Sequence, residues 1–255
     1  MRSPELDPAF LRIPLAHRGL HDRARGLIEN SRAAVRAAVA AGYGIEIDVQ
    51  RAGCGTPMVF HDAGLKRLTG RAGLVAEHDA AALGAMELTG GGEGIPTLAE
   101  ILCIVGGRVP LLIEMKDADA DLAVGTGALE TGVADAVSEY SGPLAIMSFN
   151  PHSVAFLAEM APGVPRGLTT CDFSGPDWPL PDYRRAELAG IADFDRVGAS
   201  FISHNRKELD SPAVARRKAL GVPVLCWTVR SAVQEVAARR VADNVTFEGY
   251  TPGTG

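Results

Sequence analysis

Eight short apolar runs, at 13–17, 44–49, 110–115, 143–148, 165–169, 199–203, 222–228 and 244–248, alternate with segments of helical pattern. That alternation constrains the chain more than any other feature. Short strand–helix–strand connections imply a mostly parallel sheet, because a parallel neighbour is reached only by a crossover long enough to hold a helix. Eight such units in 255 residues suit a closed α/β barrel of the (β/α)8 (TIM) type better than an open doubly wound sheet. The helices carry start and stop signals. Asn30 or Ser31 precedes an Ala-rich run that Gly42 stops, and Thr97 with Glu100 forms a capping box. Asn150-Pro151 and Ser211-Pro212 each read as an N-cap followed by proline at the first helical position.

Two places break the alternation. Between the run at 44–49 and MVFHD (58–62) there is room only for RAGCGTP. A link this short folds the chain back as an antiparallel hairpin, so 57–61 is predicted as an accessory strand over the barrel mouth. A turn centred near Gly53 sets Glu46 roughly opposite His61. The second break, about 62–96, reads as a partly helical insertion over the same face and a candidate lid. One catalytic domain over 1–255 is the expected organisation.

Composition narrows the partners. Hydrophobic residues make up 47% of the chain, enough for a large core, and the formal net charge of −6 offers no basic footprint for a nucleic-acid backbone. No run approaches the length of a membrane span and the first ten residues contain no apolar leader, so stable membrane insertion is not expected and the cytoplasm is the default location. Cys54, Cys103, Cys171 and Cys226 are scattered; Cys103 and Cys226 sit inside apolar runs, which favours buried reduced thiols over a disulfide or zinc framework. Nothing in the sequence speaks to oligomeric state.

Strand side chains alternate, so Glu46 and Asp48 in GIEIDV share one face while Ile45, Ile47 and Val49 face outer helices; Glu114 and Lys116 in LLIEMK obey the same rule. Both pairs lie at C-terminal strand ends, where barrel active sites are built. Three carboxylates in one pore mouth repel one another strongly if left bare. A hard divalent cation, Mg²⁺ or Ca²⁺, would resolve this; an ion pair of Glu114 with Lys116 or a nearby arginine, without metal, is an equal alternative. His17 and Arg18 end the first strand and His61 ends the hairpin. Two imidazoles beside a cation can divide general-acid and general-base work, and the Arg18 fork suits phosphate oxygens. A lone histidine at such a place is more often a core-edge residue bonded to a carbonyl, but two histidines, an arginine and three acids coincide here.

The set HRG (17–19), EN (29–30), E-x-D (46–48), HD (61–62) and E-x-K (114–116) resembles the signature of the glycerophosphodiester phosphodiesterase family. The likeness continues through LKRLTG (65–70), IPTLAEIL (95–102), MSFNP (147–151) and WTV (227–229). It implies a (β/α)8 barrel with an inserted segment after the second strand. It also implies metal-dependent hydrolysis of a small-molecule glycerophosphodiester to sn-glycerol 3-phosphate and an alcohol. By this resemblance Glu46, Asp48 and Glu114 bind the metal and His17 and His61 form the acid–base pair. Arg18 and Lys116 hold the phosphate, Glu29 and Asn30 organise the site, and Trp227 packs against the glycerol. Helix capping is an equal role for Asn30, a core role rivals the substrate role of Trp227, and Ser148 is a further candidate. His204 stands at a height where it could touch substrate, although a satisfied strand-end histidine fits better. The sequence departs from the family pattern at Phe247-Glu248, where many members have Thr-Asp, and at Arg230, where asparagine is frequent. Alternatives on the same barrel are a lysophospholipase D-like or other phosphodiesterase, and a non-catalytic phosphate-ligand binding protein.

Overall fold

The computed structural model describes residues 4–116, 122–125, 127–176 and 178–252. Eight strands run parallel: β1 (Leu15–His17), β2 (Gly44–Arg51), β4 (Leu111–Met115), β5 (Leu144–Ser148), β6 (Arg166–Thr170), β7 (Phe201–Asn205), β8 (Val224–Val229) and β9 (Asn244–Phe247). The intervening β3 (Pro57–Val59) is antiparallel to the end of β2. The strand order β1-β9-β8-β7-β6-β5-β4-β2-β3, with β1 also paired to β2, closes the parallel strands into a barrel and leaves β3 outside it. The predicted (β/α)8 architecture and its accessory hairpin are therefore both present.

The barrel is a packed core. Leu15, Leu112, Ala145, Met147, Phe201 and Leu225 fill its interior, and Leu6 and Phe10, in and before the short helix Ala9–Arg12, join the same buried cluster. Buried Asn244 ties this N-terminal segment down by donating from Nδ2 to the carbonyls of Phe10 and Ile13, each at 2.7 Å. Gly167 is needed where it stands, because a Cβ there would lie 2.4 Å from the Phe201 ring. On the outer faces of the strands, Ile45, Ile47 and Val49 pack with Val35 and Ala38 of helix Arg32–Ala41 and with Leu98 and Ile101 of helix Leu98–Val105. This outward set is the one that pleating assigns.

The capping signals resolve as expected, with Ser31 rather than Asn30 as the cap of helix Arg32–Ala41. Thr97 and Glu100 form their reciprocal box, and Asn150 and Ser211 cap the helices that begin at Pro151 and Pro212. All four cysteines are free, but Cys103 is exposed whereas Cys171 and Cys226 are buried. Helical periodicity explains the correction at Cys103: helix Leu98–Val105 buries Leu98, Ile101, Leu102 and Val105, which turns the intervening cysteine outward.

The hairpin register lies within one residue of the approximate pairing expected. Val49 pairs with Val59 and Gln50 with Met58, so the register places His61 level with Ile47 rather than Glu46. The segment after the hairpin builds an apolar cluster of its own, in which Leu65, Leu68, Leu83 and Leu88 pack on Met58 and Phe60. The segment thereby buttresses the hairpin, and no described residue of 62–96 lines the central cavity.

Candidate active site

The C-terminal ends of the strands open into a cavity of about 280 Å³. It is lined by His17, Arg18, Glu46, Asp48, His61, Glu114, Lys116 and Trp227, so eight of the ten predicted site residues meet in one place. Strand register brings them together: His17 of β1 is level with Glu46 of β2, and Asp48 of β2 is level with Glu114 of β4. Pleating then turns all four side chains inward.

Glu29 and Asn30 stand behind the lining. Asn30, at φ 58°, hydrogen-bonds from its backbone N–H to the Arg18 carbonyl at 2.8 Å. Its side chain clasps Asp48, donating from Nδ2 to Asp48 Oδ2 at 2.9 Å and accepting the Asp48 backbone N–H at 3.2 Å. The asparagine thus organises the carboxylate, and the capping role belongs to its neighbour. Glu29 accepts from Arg18 Nη1 at 2.6 Å and from both terminal nitrogens of Arg67 at 2.8 Å. Burial raises the Glu29 carboxyl, but Arg67 and Arg18 outweigh it and hold it at about 2.

Glu46, Asp48 and Glu114 are all buried, and each offers a carboxylate oxygen within 4.8 Å of the others. Their environments differ. Burial, then Asp48 and Glu114, push the Glu46 carboxyl well above its ordinary value. Burial also raises Glu114, against the pull of Lys116. Burial opposes ionisation of Asp48 too, yet Lys116, His61 and Arg18 together draw it far below the usual range. Lys116 Nζ lies 2.9 Å from Asp48 Oδ1 and also bonds Glu114, and Arg18 Nε lies 3.2 Å from Asp48 Oδ2. The Glu114–Lys116 ion pair considered as a metal-free alternative is therefore present. It leaves Glu46 poorly compensated: among the described residues Glu46 Oε2 accepts only the Arg18 backbone N–H at 3.1 Å, and it is 4.0 Å from His17 Nε2. An all-oxygen, buried donor set that is short of positive charge fits a hard divalent cation.

Both histidines are backed by carboxylates. His17 Nδ1 is 2.5 Å from Glu248 Oε2, and His61 Nδ1 is 2.7 Å from Asp62 Oδ1. Hydrogen bonds from His17 and His21 hold Glu248 well below the usual carboxylate range. At Asp62 burial works the other way, but Arg67 and His61 prevail and lower it. An ionised carboxylate only accepts, so each Nδ1 carries the hydrogen and each neutral ring keeps a bare Nε2. Burial lowers the pKa of both imidazoles, which favours that neutral form.

Several neighbours of the site were not singled out from the sequence. Glu248, noted only as a departure from a pattern, also receives Arg230 and lies 3.7 Å from His21 Nε2. The fold also brings His21, His17 and Glu248 within 4.8 Å of one another. Arg67 clamps Glu29 and Asp62 together, and Phe149, Asn205, Arg206 and Lys207 line the cavity. Arg67 lies inside LKRLTG, so a motif marked it without revealing its partners. Trp227 stands at the boundary between cavity and core. It lines the cavity, and it also packs edge-on to Phe149 with its Nε1 donating to the Ser203 carbonyl at 3.0 Å. Ser148 and His204 do not face the cavity: Ser148 Oγ donates to the Met115 carbonyl, and buried His204 bonds Thr170 through Nδ1 at 2.8 Å.

Comparisons with known proteins give the family and the fold. The model of the Glycerophosphoryl diester phosphodiesterase family matches residues 17–246. A glycerophosphodiester phosphodiesterase of Caldanaerobacter subterraneus subsp. tengcongensis is 32% identical over 168 residues, which cover 61% of this chain and 65% of that relative. Among solved structures, a phosphodiesterase of Oleispira antarctica in complex with the product sn-glycerol-3-phosphate superposes with a TM-score of 0.74 at 21% identity, over 96% of this chain and 93% of that one. The glycerophosphodiester phosphodiesterase of Thermotoga maritima gives 0.69 at 21% identity, over 92% and 94%. These structural likenesses show a shared fold. With a family model that spans nearly the whole chain, and with the motif set gathered at one barrel mouth, the chain belongs to the glycerophosphoryl diester phosphodiesterase family.

Proposed function

We propose that the chain hydrolyses glycerophosphodiesters to sn-glycerol 3-phosphate and an alcohol, using a divalent cation, Mg²⁺ or Ca²⁺, held by Glu46, Asp48 and Glu114. The observation that carries this reading is the convergence of those three buried carboxylates with two carboxylate-backed histidines around one cavity. The cation would supply charge stabilisation for the phosphoryl oxygens, usually the largest contribution in phosphoryl transfer.

The chain's own residues supply the rest. Asn30 holds the Asp48 carboxylate in place from behind. Arg18 and Lys116 now neutralise the carboxylates, and both line the cavity, where a guanidinium fork and an ammonium can hold a phosphodiester anion. Trp227 and Phe149 present an aromatic wall to the glycerol carbons. The bare Nε2 of one histidine accepts the proton of the attacking hydroxyl, while the other histidine, having first taken a proton from solvent at Nε2 with its carboxylate partner as counter-charge, donates that proton to the leaving alkoxide oxygen. Glu248 and Asp62 fix the ring tautomers on which both steps depend.

Most large apolar side chains of 62–96, the exposed Leu74 excepted, are turned into their own cluster, which favours a compact polar diester over a lysophospholipid tail. Protein supplied with Mg²⁺ or Ca²⁺ is expected to release sn-glycerol 3-phosphate from glycerophosphocholine or glycerophosphoethanolamine, and a chelator is expected to stop it. Stoichiometric binding without turnover would replace the hydrolase reading with that of a binding protein. Turnover of lysophospholipids alone would move the substrate class.

A further inference from the structure

The cavity has two unlike halves. On the side of β1, β2 and β4, Arg18 and Lys116 are paired with buried carboxylates. On the side of β7 and β8, Asn205, Arg206, Lys207 and Arg230 form the rim. This concentration of cations stands in a chain whose formal net charge is −6, so it is a local feature rather than the general character of the surface. Arg230 is neutralised by Glu248. Arg206 and Lys207 differ, since neither forms an ion pair with any carboxylate among the described residues.

Both are held in place through other groups. Arg206 Nε donates to the Thr228 carbonyl at 2.9 Å, which anchors the half-buried guanidinium to β8 and leaves its terminal nitrogens for another acceptor. The backbone of exposed Lys207 is fixed by the Asn205 side chain, whose Oδ1 accepts the Lys207 N–H at 3.1 Å. The adjacent acid, Glu208, is engaged by Asn205 Nδ2 at 3.1 Å and by the Asp172 N–H at 2.6 Å. A phosphodiester carries a single negative charge, and Arg18, Lys116 and a cation already meet it. Two further cations on the rim have no task in binding that group.

We propose that Arg206 and Lys207 form a subsite for a second phosphate, so that the preferred substrates are glycerophosphodiesters whose alcohol is itself phosphorylated. The inference rests on the phosphodiesterase reading and refines it. Asn205 is level with Trp227, so the cationic rim begins beside the aromatic wall; in the proposed pose the glycerol carbons take the wall and the alcohol extends past it to Arg206 and Lys207. There a guanidinium fork and a point-charge ammonium match phosphate oxygens, while a quaternary ammonium group would be repelled.

The test compares kcat/KM for glycerophosphoinositol 4-phosphate and glycerophosphoinositol, which differ only in the second phosphate, at saturating Mg²⁺ or Ca²⁺. The phosphorylated diester is expected to be favoured roughly 10-fold at low salt. The preference should shrink towards unity at about 0.5 M salt, where screening is short-ranged. It should also disappear in the double variant R206Q/K207Q. Taking the ratio within each protein cancels any general loss of folded enzyme. A ratio near unity in the unmodified protein, or one that the double variant leaves intact, would overturn the subsite. If neither diester were turned over, turnover of glycerophosphoethanolamine would decide the hydrolase reading separately, and calorimetric affinities for the two inositol compounds would decide the subsite. Tighter binding of the phosphorylated compound, lost in the variant, would support it; equal affinities would overturn it.

Discussion

Replacing Glu248 by glutamine asks whether His17 works through its carboxylate partner. Glu248 Oε2 is 2.5 Å from His17 Nδ1, and the carboxylate is held well below its ordinary range, so it stays ionised and accepts. Glutamine keeps the shape and removes the charge, and its amide can present either oxygen or NH₂ to the ring. The Nδ1–H tautomer is then no longer enforced, and the imidazolium formed on proton uptake loses its counter-charge. At about 4 Å between charge centres and an effective dielectric of about 20, a full pair is worth about 4 kcal/mol. The Glu248 side chain is 19% exposed and shared with Arg230. Half or less of the full value therefore applies, about 1.5–2 kcal/mol, which corresponds to roughly 10- to 30-fold in rate. Initial-rate kinetics across neutral pH should show kcat reduced by that factor with KM little changed. Because Glu248 raises the His17 pKa against the lowering effect of burial, any pH limb due to His17 should move to lower pH in the variant. Glu248→Asp should restore part of the rate. A Glu248→Gln enzyme with unaltered kcat and an unmoved pH profile would refute the positioning argument.

Other perturbations give separate checks. His17→Ala and His61→Ala are each expected to lower kcat by roughly 100-fold or more if the rings carry the proton transfers, and near-normal turnover in either would remove that ring from the chemistry. Gly167→Ala places a methyl 2.4 Å from the Phe201 ring and is expected to cost about 1–3 kcal/mol, read as a lower urea midpoint; an unchanged midpoint would mean that the ring gives way freely. Burial depresses the His204 pKa to about 4 from an ordinary 6.5, so the unfolded chain binds the extra proton first. Its contribution to stability is thus complete above pH 6.5 and is lost as pH falls towards about 4, amounting to about 2–3 kcal/mol. Urea unfolding should show His204→Gln losing less stability than the parent between neutral pH and about pH 4.5. Equal losses would mean that His204 is not the titrating group.

The barrel was legible because its signals are local. Apolar runs at strand length, caps such as Thr97–Glu100, and glycine stops each report on a few residues, and eight of them in order leave few topologies. The acids were legible for the same reason: two residues apart on one strand means one face, whatever the tertiary structure. What the sequence withheld is pairing across the fold. Glu248 lies 231 positions from His17, and only closure of β9 against β1 makes them neighbours. Arg67 meets Glu29 across 38 positions through a packed insertion whose path no periodicity specifies. The hairpin register was legible only to within a residue because the turn centre depends on backbone hydrogen bonds, here Ala52 N–H to the Thr56 carbonyl at 2.9 Å, rather than on the glycines around it. Asn30 was ambiguous between cap and site because Asn and Ser are equally good caps in sequence, and only the clasp on Asp48 separates them.

Calorimetric titration of Ca²⁺ and Mg²⁺ into chelator-stripped protein tests most directly whether Glu46, Asp48 and Glu114 hold a catalytic cation. One ion per chain should bind, Asp48→Asn should abolish that binding while retaining the folded circular-dichroism spectrum, and diester turnover should appear only when the ion is bound. Turnover by protein that binds no divalent ion, or undiminished binding by Asp48→Asn, would contradict the assignment.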